Sequence, residues 1–70
     1  AWKQAFNKVA KEIHPKTGRE VVKKAELESV YAQLNDVSVK TAQRRLDKHI
    51  QNNTAERHMK GRVAYIQMNW

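Results

Sequence analysis

The sequence predicts an α+β domain, mainly α, with three helices, one short strand and a C-terminal β-hairpin spread over residues 1–70. Two periodicities and the composition predict it. Apolar residues recur three to four positions apart through most of the first 52 residues, as they do on one face of a helix. After Thr54 the period drops to two around a Lys60-Gly61 interruption, as in paired strands. Two Gly, one Pro and 40% hydrophobic residues argue for a folded chain rather than a disordered tail. The length suits one small domain, and Ala1 in place of an initiator Met fits a chain processed or excised from a longer protein.

Each element has its own signal. Trp2, Ala5, Phe6, Val9, Ala10 and Ile13 form the apolar stripe of a first helix, which Pro15 stops near His14. Pro15-Lys16-Thr17-Gly18 reads as a turn, and Arg19-Glu20-Val21-Val22 as the short strand. A second helix starts near Lys24, carries Leu27, Val30, Tyr31 and Leu34 on one face, and ends at Asn35-Asp36. Ser38 is an N-cap residue, since its hydroxyl accepts an orphan amide of the first turn. The third helix then runs from Val39 to about Asn52, with Val39, Ala42, Leu46 and Ile50 turned to the core and His49 at the stripe's edge. The hairpin arms span roughly Ala55–Met59 and Arg62–Met68, with Ala64, Ile66 and Met68 as the more consistent apolar face.

With no cysteine, disulfides, thiolate chemistry and Cys-ligated zinc are excluded. No apolar run approaches a membrane span and no signal-peptide pattern is present. Fourteen Lys and Arg against seven Asp and Glu leave a formal +7, a balance that attracts polyanions. The excess is unevenly placed. Residues 17–36 are slightly acidic, whereas residues 37–53 carry Lys40, Arg44, Arg45 and Lys48 against Asp47 alone, and the hairpin adds Arg57, Lys60 and Arg62. With Ala42, Leu46 and Ile50 buried, the third helix presents Lys40, Gln43, Arg44, Asp47, Lys48 and Gln51 outward. Arg makes paired bonds to guanine and Gln to adenine. A merely solvated helix face has the same composition.

The order of elements resembles a winged helix-turn-helix of the bacterial, archaeal or phage regulator type. The run Val37-Ser38-Val39-Lys40-Thr41-Ala42-Gln43-Arg44-Arg45-Leu46 is similar to the recognition-helix signature of that family. Val21-Val22-Lys23-Lys24-Ala25-Glu26-Leu27 resembles its strand and second-helix start, and Lys60-Gly61-Arg62-Val63-Ala64-Tyr65 its wing. The resemblance spans about residues 4–69. The chain departs from it in having Lys23 where the family has a capping residue, a single wing glycine, and Asp47 on the exposed face.

The resemblance implies sequence-specific binding of double-stranded DNA, most simply in transcription regulation. Ser38 and Thr41 would hold a phosphate at the helix N-terminus, Lys40, Gln43 and Arg44 would read base edges, Arg45 and Lys48 would grip the backbone, and Lys60 and Arg62 would reach the flanking minor groove. A single domain reads one half-site, which calls for a homodimer or a place in a larger chain. A cytoplasmic, nucleoid-associated location follows. A replication initiator or a plasmid or phage control protein would use the same parts. A winged module that docks on other proteins is the competing class; such copies tend to lose the basic face.

Other groups read as structural. Trp2, Phe6, Tyr31 and Tyr65 have core spacing, whereas Trp70, at the end, is the exposed exception. Stacking on single-stranded nucleic acid would need more exposed aromatics, and membrane binding rests only on the first helix. His14, His49 and His58 are too scattered for a metal site. No catalytic triad order, Gly-rich phosphate loop or carboxylate pair in an apolar setting is present, so neither an enzyme nor a cofactor is expected.

Overall fold

A computed structural model describes residues 1–70. It has three helices and four strands, in the order α1 (Trp2–Lys8), β1 (Glu12–Ile13), β2 (Glu20–Lys23), α2 (Lys24–Asn35), α3 (Val39–Gln51), β3 (Ala55–Lys60) and β4 (Val63–Met68). The strands form one antiparallel sheet in the order β1-β2-β4-β3. The architecture is therefore α+β, with the helices packed on one sheet face. Val22, Ile66 and Met68 from the sheet meet Leu27, Tyr31, Ala42 and Leu46 from α2 and α3, and Trp2, Ala5 and Phe6 from α1 close the core. Leu27, Leu46, Ile66 and Val22 are fully buried, each stabilising the fold by about 1.5–3 kcal/mol relative to exposure. Trp2 stacks on Tyr31 with ring centroids 3.8 Å apart, tying α1 to α2.

The first helix is shorter than its apolar spacing predicts. It ends at Lys8, with Val9 already extended, rather than near His14. Two turns of helix are marginal alone. Residues 12 and 13 instead gain ladder partners, Glu12 opposite Val21 and Ile13 opposite Glu20. Lys11 Nζ covers the freed helix end, donating to the Asn7 and Val9 carbonyls at 3.1 Å each. Ile13, expected inside, is consequently 63% exposed, and Ala10 is exposed too. The turn at Pro15–Thr17 forms where expected, but β2 lies one residue later than Arg19–Val22.

The α2–α3 pair lies close to the expected bounds. Asp36 ends α2 in a left-handed conformation and Ser38 caps α3. The buried stripe of α2 is Leu27, Glu28, Tyr31 and Ala32, so Leu34, expected inside, is 41% exposed. Val39 is likewise exposed at the first turn of α3, and Ile50 is half-buried at its last. In the hairpin, Lys60 pairs with Val63, so the loop is Gly61-Arg62 rather than Lys60-Gly61. Gly61 has φ +63° at the first central position, as a type II′ turn requires.

Candidate nucleic-acid interface

Strand and helix periodicity sort the cations onto distinct surfaces. On α3, Ala42 and Leu46 are buried, and Lys40, Gln43, Arg44, Arg45, Asp47, Lys48 and Gln51 are all exposed. The Ser38 hydroxyl oxygen accepts the Thr41 amide at 3.1 Å and lies 3.0 Å from the Thr41 hydroxyl. That cap fixes the start of α3, whose Val39 and Lys40 amides have no intrahelical acceptor. Within this set Arg45 differs from its neighbours. Its Nη1 donates to the Tyr31 hydroxyl at 3.0 Å and its guanidinium lies 6.0 Å from the Tyr31 ring, so it braces α3 on α2. Lys40, Gln43, Arg44 and Lys48 make no side-chain bond within the chain and stand free in solvent.

Asp47, the only acid on α3, is 3.9 Å from Lys24 Nζ, and Lys24 also bonds buried Glu28. This chain of charges carries the exposed face of α3 to the N-terminus of α2. Arg62, at the hairpin tip, borders a shallow hollow with Lys23, Lys24 and Glu26 at that same N-terminus. Arg62 and Asp47 of α3 therefore both lie near the N-terminus of α2. Lys60 faces elsewhere. Alternation puts it with Glu56 and His58 on the sheet face away from the helices, where its ammonium lies 4.0 Å from Glu12.

That outer face is itself organised, which the sequence reading missed. The sheet curls so that its edge strands approach each other across Tyr65. His14 and His58 have ring centroids 4.2 Å apart, and with Glu12, Lys16, Lys60, Val21 and Tyr65 they border a hollow of about 470 Å³. His14 Nδ1 accepts the Lys16 and Thr17 amides at 3.2 and 3.3 Å. Buried Gln67 is the hub beside it. Its amide nitrogen donates to Glu56 and Asn69 at 2.8 Å each, leaving its oxygen to face His58 Nε2 at 3.2 Å. The Tyr65 phenol is pushed above its ordinary 10.0 by hydrogen bonding to Glu12, then by burial, then by the negative charges of Glu12 and Glu26. The alternation Glu56, His58, Lys60 against Tyr65 and Gln67 was the available sign of this polar face. Both histidines there are bonded through a ring nitrogen, and no group of three or more metal-ligating side chains converges anywhere. No helix is long and apolar enough to cross a membrane.

Compared with known proteins, the chain matches no family model, no curated protein and no solved structure.

Proposed function

We propose that the chain is a winged helix-turn-helix domain that binds double-stranded DNA, α3 entering the major groove and the β3–β4 hairpin acting as the wing. The strand order supports the reading: β2, ahead of the helix pair, hydrogen-bonds to β4, the returning arm of the hairpin. The observation that carries it is the free polar face of α3. Lys40, Gln43, Arg44 and Lys48 are exposed on α3 with no side-chain partner of their own, and Arg62 borders the α2 N-terminus that Asp47 of α3 also approaches. Arg44 and Gln43 are long enough to meet base edges, Lys40 and Lys48 meet phosphates, and the open first-turn amides beyond Ser38 and Thr41 accept a phosphate along the helix dipole. Arg45 contributes chiefly by holding the helix at its angle to α2. Lys60, across the sheet from α3, is the weakest contributor of the expected set. The reading assigns no catalytic role, and regulation of transcription is its simplest use.

The test is selection of duplexes from a random pool followed by affinity measurements across salt. Selected duplexes share a short motif, and if about five phosphates are neutralised, log K falls with log salt at a slope of about −4 to −5. A pool that fails to converge, with an affinity flat in salt, sinks the reading.

A further inference from the structure

The open edge of β3 is self-complementary, and we propose that it joins two copies of this chain into a dimer by continuing the sheet. β3 is the last strand in the order β1-β2-β4-β3. Around the two-residue loop, Lys60, His58 and Glu56 direct their backbone groups to β4, a register that the Asn69 amide extends by donating to the Thr54 carbonyl at 2.9 Å. The alternate residues Arg57 and Met59 therefore aim their N–H and C=O groups outward, where they border the hollow lined by residues 12–16 and no segment of the chain hydrogen-bonds to them.

Charge selects one register for a second β3. An antiparallel two-fold through His58 sets Arg57 opposite Met59 of the second copy, so the outward backbone groups pair with each other. It also sets Glu56 opposite Lys60 of the second copy, twice by symmetry. A two-fold through Arg57, Glu56 or Lys60 places like charges directly opposite, one through Met59 sets Lys60 against His58, and only the His58 register, which sets His58 opposite its own copy, pairs Glu56 with Lys60. Lys60 and Arg57 shield the edge from an arbitrary strand. A second copy of the same strand is the partner that answers them. Lys60 exchanges its 4.0 Å contact with Glu12 for it, its side chain being 78% exposed, and Met59, 55% exposed and already 3.7 Å from Nη2 of its own Arg57, gains the aliphatic stem of the second copy's Arg57. Because the two-fold is perpendicular to the joined sheet, both helix layers lie on the same side. The dimer stands whether or not the chain binds duplex DNA.

Sedimentation equilibrium of the whole chain, with hydrogen exchange read at the Arg57 and Met59 amides, tests it. The wild type dimerises, and both amides slow as concentration rises. Glu56→Lys and Lys60→Glu each raise the dissociation constant about ten-fold, and the double swap returns it to within about three-fold, since cross-strand charge pairs act twice per dimer. The Glu56 change also removes a partner of Gln67, so Met59→Pro gives an independent reading. It deletes an outward amide without touching the β4 ladder, and the variant is folded and monomeric. A wild type that stays monomeric at millimolar concentration overturns the proposal. So does a folded Met59→Pro variant that dimerises like the wild type, or a double swap that leaves the association as weak as either single change.

Discussion

Arg45 donates a hydrogen bond to the Tyr31 hydroxyl at 3.0 Å, and Tyr31 in turn stacks on Trp2, so one arginine of a cationic helix links all three helices of the chain. Two adjacent arginines on α3 thus have different duties. Arg45→Ala and Tyr31→Phe each destabilise the fold by about 1 kcal/mol, and the two losses are not additive because they remove the same bond. Thermal denaturation of the single and double variants checks this.

Arg44 has no such partner, and under the proposed duplex binding its loss is read in affinity instead. Arg44→Ala leaves the melting temperature close to the wild type and lowers discrimination at one base position by about 1–3 kcal/mol. Lys60→Ala, which changes a residue on the far face of the sheet, alters affinity for all duplexes by much less. Shift assays with a selected duplex and its single-base variants separate the two.

In the proposed duplex complex Asp47 opposes any phosphate near α3, and Lys24 at 3.9 Å only partly offsets it. Asp47→Asn tightens binding to all duplexes by about two- to five-fold, roughly the worth of one unit charge a few Å from a phosphate in water. The same measurement at high salt shows the difference shrinking.

Ser38 holds the first turn of α3 through the Thr41 amide. Ser38→Ala costs about 1 kcal/mol and lowers the melting temperature by about 4–8 °C, whereas Ser38→Asp restores the cap. Circular dichroism melts of the two variants give the comparison.

The Tyr65 phenol has its pKa raised above 10.0 in the fold, mainly through Glu12, so the folded chain holds that proton more tightly than the unfolded one. The corresponding stability is fully present below pH 10 and is lost as pH rises through the folded value. The melting temperature of the wild type therefore falls more steeply above pH 10 than that of Tyr65→Phe. Phenolate absorbance shows the Tyr65 step moving down in Glu12→Gln.

The parts of this chain governed by neighbours within one turn were legible in its residues. Ser38 and Asp36 punctuate α2 and α3 because caps and left-handed positions depend on a few adjacent side chains, and Gly61 marks the hairpin for the same reason. Ala42 and Leu46 gave the buried side of α3, and with it the free cationic face, through the helical period alone. What long-range pairing decided was not legible. The stripe from Trp2 to Ile13 suits a helix, yet Glu12 and Ile13 leave it because β2 offers them backbone partners that a short helix end cannot match. Leu34 lies off the stripe of α2 that packing chose, Leu27, Glu28, Tyr31 and Ala32, and Val39 at the first turn of α3 also stays outside. The separate surfaces of Lys60 and Arg62, two residues apart, and the bond that takes Arg45 to Tyr31 depend on how the sheet curls and where α2 lies. Local propensity carries no information about groups that meet only when distant segments pack, so charge could be counted in the sequence but its direction belonged to the fold.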